Sequence, residues 1–188
     1  LARRAGATSE VREVCVMFLD IRGFTAFAEK RTPEEVVGYL NSLFEFMIES
    51  VNQHHGFVNK FLGDGFMAVF GAPIADEDHC RYAVQAALAI LATVRERQDA
   101  GDIPPTRIGI GLHAGRAVVG NVGSARRKEY TVIGDVVNVA SRVEALNKEL
   151  GSQLLVTEEV KSRSGLPDDD WIAKPPLTVR GRNEAMVV

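Results

Sequence analysis

Cysteine is scarce in this chain: Cys15 and Cys80 are the only two among 188 residues. They show neither CxxC nor Cys/His spacing, which argues against a zinc site and a disulfide framework. Two reduced, buried thiols are expected, in keeping with a reducing, cytoplasmic compartment. Long apolar runs are missing too. The best candidate, AVQAALAILA at 83–92, carries Gln85 and falls well short of the roughly 20 residues that a membrane-spanning helix needs. Neither sign of charge dominates, since 22 basic residues meet 25 acidic ones for a net charge of −3. That balance leaves no broad basic surface for nucleic acid or for a general membrane surface. No GxGxxG turn occurs, so a dinucleotide-binding fold is not favoured.

What remains is the composition of one ordinary globular domain, 46% apolar and 25% charged, long enough to bury a sizeable core. The chain begins at Leu1 rather than Met and ends in AMVV. It therefore reads as a piece of a longer protein, with an upstream regulatory domain and any membrane anchor outside it.

Residues 1–12 are polar and basic and read as a linker; 13–188 read as one domain. VCVMFLD (14–20) is a continuous apolar run suited to a strand buried on both faces, followed by an IRGFT turn. From Pro33 the period becomes helical through Val36, Val37, Leu40, Leu43, Phe44, Met47, Ile48 and Val51, with Thr32 as the cap and Glu35 three residues on. FVNKFL and FMAVFG read as a hairpin joined at Gly63-Asp64-Gly65. A second helix is expected over about 77–98. RIGIGLHAG and RAVVGNVG read as another strand pair, turning at Ala114-Gly115. SARRKE (124–129) reads as an exposed arm, YTVIG as a short strand, and VVNVASRVEALNKEL (136–150) as a third helix capped by Gly151. LLVT is a further strand, and a hairpin is expected from about 171 to 188. The order is βαββαβ with additional C-terminal strands and a helix. It predicts an α+β fold with a ferredoxin-like core.

In such a core the first strand lies beside the hairpin, so Asp20 at the end of one and Asp64 in the turn of the other are placed to converge. Paired carboxylates suit a hard cation such as magnesium, which binds through one or two carboxylates plus phosphate oxygens. Lys60, four residues before Asp64 in KFLGDG, is either its salt-bridge partner or a second functional group. Asn138 and Arg142 are also four apart, on one helical face, and can touch neighbouring parts of one ligand.

Taken in order, FLDIRGFT, KFLGDGFMAVFG, IGLHAGRAVVGNVG and YTVIGDVVNVASRVE resemble the class III nucleotide cyclase catalytic domain, over about residues 14–146. TVRGR extends the likeness to about 182. The resemblance implies a head-to-tail homodimer with two active sites in the groove between the copies. It implies that Asp20, Asp64 and the Ile21 backbone carbonyl hold two divalent cations, Mg2+ or Mn2+. Lys60 and Thr131 would read the base, Asn138 orient the ribose, and Arg142 stabilise the transition state. Arg116 and Arg180 would contact the triphosphate, with Arg182 a competitor for Arg180. Lys60 and Asp64 would then serve different sites of one dimer. His54, His55, His79 and His113 receive no role.

Lysine donates and a threonine oxygen accepts, which complements the ring nitrogen and amino group of adenine. ATP is therefore expected as substrate and cyclic AMP as product. The alternatives are a guanylyl cyclase and a catalytically silent, nucleotide-binding cyclase-homology domain. The presence of Asp20, Asp64, Asn138 and Arg142 together argues against the silent domain.

Overall fold

Thr32 and Glu35 close the capping box that their spacing predicts. The Glu35 N–H donates to the Thr32 hydroxyl at 3.2 Å, and the Thr32 N–H donates to the Glu35 carboxylate at 3.3 Å. Helix α2 (Pro33–Gln53) grows from this cap. It follows β1 (Glu10–Ile21) and a short helix α1 (Phe24–Glu29). The computed structural model describes residues 9–173 and 185–187. After α2 come β2 (Gly56–Phe61), β3 (Gly65–Phe70), α3 (His79–Asp99), β4 (Ile108–Gly123), β5 (Lys128–Ile133), α4 (Asp135–Leu150), β6 (Leu154–Thr157), α5 (Glu158–Ser164), β7 (Ile172–Ala173) and β8 (Ala185–Val187).

The sheet runs β2-β3-β1-β4-β6-β8-β7, with β5 paired to β4 outside that path. Within it, β2-β3-β1-β4 is the ferredoxin-like arrangement expected of a βαββαβ unit. Strand β1 lies antiparallel between β3 and β4. Its side chains alternate between two cores. Cys15, Met17 and Leu19 pack with Leu43, Met47 and Val51 of α2 and with Ala83, Ala87 and Ile90 of α3. Val14 and Val16 face the other way, against Val136 and Ala140 of α4. Cys15 and Cys80 are both free and buried, as expected, and they belong to the same core cluster despite their separation in sequence.

One expectation is corrected. RIGIGLHAG and RAVVGNVG do not form a strand pair, because Ala114-Gly115 is not a turn. Residues 108–123 form one strand, paired without interruption to β1 from Ile108↔Ile21 to Val119↔Glu10. Gly115 is not among the glycines with positive φ, and a two-residue hairpin of the favoured types needs such a residue. The hairpin partner of β4 is instead β5, reached through a turn at Ser124–Arg127. Strand β1 also starts at Glu10, earlier than its apolar run, since its first residues pair with β4 at an exposed end. Where a C-terminal hairpin is expected, β7 and β8 pair antiparallel, while residues 174–184 between them lie outside the described residues.

Candidate active site

Asp20 and Asp64 are brought together by backbone alone. Asp20 lies directly across from Gly65 in the β1–β3 ladder, and the Ile21 N–H donates to the Asp64 carbonyl at 3.0 Å. The two glycines around Asp64 have different tasks. Gly63 adopts φ 69°, the left-handed conformation that glycine enters without strain. Gly65 is needed for close approach, because a Cβ there would sit 2.0 Å from the Leu19 carbonyl oxygen. Asp20 has the parity of Val14 and Val16 along β1, so its side chain lies on the α4 face of the sheet.

Two further residues crowd Asp20, and both were missed as functional candidates in the sequence. Arg22 Nε lies 3.4 Å from Asp20 Oδ1, and Arg22 Nη2 lies 3.6 Å from Glu144 Oε1. Glu144 reaches this point because β4 is bare beneath it. A Cβ at Gly111 would lie 2.3 Å from the Glu144 nitrogen, and one at Gly109 would lie 2.3 Å from Arg22 Nη2. Burial, then contact with Asp20, pushes the Glu144 carboxyl up to about 8. Asp20 Oδ1, Arg22 Nε and Nη2, and Glu144 Oε1 are all buried without a hydrogen-bond partner. Such orphaned polar atoms call for an ion or water. Two adjacent carboxylates with an unpartnered buried oxygen fit a hard divalent cation. A signal for Glu144 was present in the sequence: it lies four residues after Ala140 and eight after Val136, on the stripe that α4 turns to the sheet.

Lys60 and Thr131 come together elsewhere. Both line a cavity of about 370 Å³ with Phe57, Val58, Asn59, Glu129 and Tyr130, and neither aspartate borders it. The cavity is held open by contacts between β2 and β5. The Asn59 side-chain amide donates to the Tyr130 carbonyl at 2.8 Å, and the Phe57 and Tyr130 rings meet edge to face at 5.6 Å. A register shift between Val58 and Lys60 interrupts the β2–β3 ladder beside it. The Thr131 hydroxyl donates to the Glu129 carbonyl at 3.2 Å, so its remaining capacity is as an acceptor.

Asn138 and Arg142 sit one turn apart on α4, on the side away from its buried residues Val136, Val139, Ala140 and Val143. Glu144 thus points toward its own chain's Asp20, whereas Asn138 and Arg142 occupy the outer side of the same helix. Arg116 joins neither cluster. It lies in mid-strand rather than at the turn expected of it, opposite Glu13, and its Nε is 3.6 Å from Glu13 Oε1. Asp20 pairs with Gly109, seven positions along the ladder and on the other face, roughly 23 Å away at about 3.3 Å per residue. Arg180 and Arg182 lie outside the described residues.

All four histidines are found in structural settings. His54 and His79 contact backbone carbonyls, the His55 ring packs on Tyr82, and buried His113 contacts the Thr157 hydroxyl. Among the described residues no helix is long and apolar enough to cross a membrane.

The sequence matches the family described as "Adenylate and Guanylate cyclase catalytic domain" over residues 7–187. It is 43% identical to Adenylate cyclase 1 of Rhizobium meliloti over 93% of this chain and 27% of that protein. It is 35% identical to an adenylate cyclase of Anabaena cylindrica over 97% of this chain and 37% of that protein. The chain therefore spans only about a third of the curated relatives it matches. Among solved structures, a bacterial light-regulated adenylyl cyclase superposes with a TM-score of 0.87 at 29% identity, over 96% of this chain and 53% of that chain. The adenylyl cyclase CyaB from P. aeruginosa gives 0.80 at 29%, over 96% of both chains, and the guanylyl cyclase Cya2 gives 0.80 at 29%, over 95% of this chain and 91% of that chain. With this match across nearly its whole length, on a βαββαβ sheet that sets two aspartates side by side, the chain belongs to the adenylate and guanylate cyclase catalytic domain family.

Proposed function

We propose that this domain, residues 13–188, is an adenylyl cyclase that works as a head-to-tail homodimer, each copy supplying half of two sites. The observation that carries this reading is the separation of Lys60 and Thr131, in one cavity, from Asp20 and Asp64, outside it. A second copy laid across the groove would bring one chain's cavity to the other's carboxylates. Exposed Phe61 and Leu62 beside Lys60, and Val118, Val122 and Ile133 beside Thr131 across β4 and β5, supply an apolar surface for that contact.

In this reading Asp20, Asp64 and the Ile21 carbonyl hold two divalent cations, Mg2+ or Mn2+. When bound, these ions supply acidification of the ribose 3′-hydroxyl and neutralisation of triphosphate charge. Lys60 donates to the adenine ring nitrogen. The Thr131 oxygen, its proton committed to Glu129, accepts from the amino group. Asn138 holds the ribose and thereby the line of attack. The 3′-oxygen forms a bond to the α-phosphorus, the bond to the α,β-bridging oxygen breaks, and pyrophosphate departs with that electron pair while the hydroxyl proton passes to solvent. Arg142 lies against the charge that develops on the phosphoryl oxygens. Arg180, with Arg182 as competitor, remains the proposed triphosphate contact.

Incubating the purified domain with Mn2+ and either ATP or GTP tests the assignment. Cyclic AMP as the main product is expected. Cyclic GMP alone would contradict the base assignment, and no cyclic nucleotide from a folded dimer would contradict the enzyme.

A further inference from the structure

A single guanidinium is divided between two carboxylates behind the aspartate pair. Arg22 directs Nε to Asp20 and Nη2 to Glu144, at 3.4 and 3.6 Å. Both distances exceed the roughly 2.7–2.9 Å of a well-formed charge-assisted hydrogen bond. The Arg22 and Glu144 side chains are only 14% and 13% exposed, and none of the four facing atoms has a hydrogen-bond partner. The guanidinium is therefore committed to neither carboxylate.

We propose that Glu144 is a positioning residue that draws Arg22 back from Asp20, leaving the Asp20 carboxylate open to a divalent cation. This rests on the metal-site reading given above. Arg22 carries a planar fork of donors that closes readily on one carboxylate as a bidentate pair. Such a pair would occupy the oxygens that a cation needs. Glu144 prevents it by holding the far end of the fork, and Gly109 and Gly111 provide the space for both side chains. Helix α4 thus has two jobs on two sides: Glu144 tends the metal half of its own chain's site, while Asn138 and Arg142 face outward.

The test is Mn2+ affinity of the purified domain without nucleotide, read from the electron paramagnetic resonance signal of free Mn2+, with thermal melting as a check of fold. Glu144→Ala should weaken Mn2+ binding about tenfold, the scale on which outer partners of metal ligands act. Glu144→Gln, whose amide oxygen can stand opposite Nη2 as Glu144 Oε1 does, should stay within about threefold of wild type. Arg22→Gln should bind at least as tightly as wild type, and adding it to Glu144→Ala should restore the lost affinity. Kinetically, Glu144→Ala should raise the Mn2+ concentration for half-maximal rate and leave discrimination between ATP and GTP unchanged. A folded Glu144→Ala protein with wild-type affinity would overturn the proposal, as would a double variant as weak as Glu144→Ala. If Glu144→Ala does not fold, Arg22→Gln alone decides, because weakened binding in that protein would contradict a competing role for Arg22. Failure of wild type to bind Mn2+ would remove the metal site itself, and the proposal with it.

Discussion

Around Asp20, backbone leaves almost no freedom: Gly65 touches the Leu19 carbonyl, Gly111 touches α4, and Asp64 is fixed by a hydrogen bond from Ile21. Around Lys60, by contrast, the ladder slips, the lysine is exposed, and the cavity depends on one amide hydrogen bond and one ring contact between β2 and β5. A cation site needs oxygens at fixed short distances, which demands a rigid frame. On the proposed reading, a base site at the dimer surface would be completed by a second copy, so one chain alone need not enclose it. The dense half belongs to the fold's centre and the open half to its edge.

Substitutions should break the two halves differently. The largest effect is expected in the dense half: Asp20→Ala or Asp64→Ala should cut kcat by about 10³ or more, on the scale of removing a main electrostatic stabiliser, with melting little changed. Gly65→Ala should act through the frame. Its Cβ would meet backbone rather than a yielding side chain, so β1 and β3 must separate, at about 3 kcal/mol of stability measured by urea unfolding. In the open half, Lys60→Glu should lower kcat/KM for ATP about 10²-fold and narrow the preference over GTP, because it replaces a donor with an acceptor. Mn2+ affinity and unfolding should stay near wild type. The smallest effect is expected for Arg116→Ala. Its pairing with Glu13 is highly exposed, and exposed ion pairs contribute about 0–1 kcal/mol. A large loss of activity there would place a triphosphate contact where one chain shows only a cross-strand pair.

The legibility of the sequence follows the same division. Local signals were readable: the Thr32–Glu35 box, the Gly63-Asp64-Gly65 turn and the Gly151 cap all appear where short-range chemistry puts them. So was the convergence of Asp20 with Asp64, since it follows from strand order. Features set by long-range packing were not. Ala114-Gly115 resembles a turn in isolation, yet it continues a strand because β1 pairs along its whole length. Helix α1 resembles a turn in the sequence, being only six residues long with no side-chain cap. Arg116 was expected at that turn and lies instead in mid-strand opposite Glu13. Arg22 and Glu144 gave only a faint signal, because their partnership joins a loop after β1 to a helix more than a hundred residues later, across glycines whose purpose appears only in three dimensions.

The division of each site between two copies is tested most directly by complementation. Asp20→Ala and Arg142→Ala proteins should each be inactive alone. Random pairing of equal amounts makes about half the dimers mixed, each with one intact site, so about a quarter of wild-type activity should return. No recovery, with mixed dimers demonstrated by differently tagged copies, would contradict sites shared across the dimer.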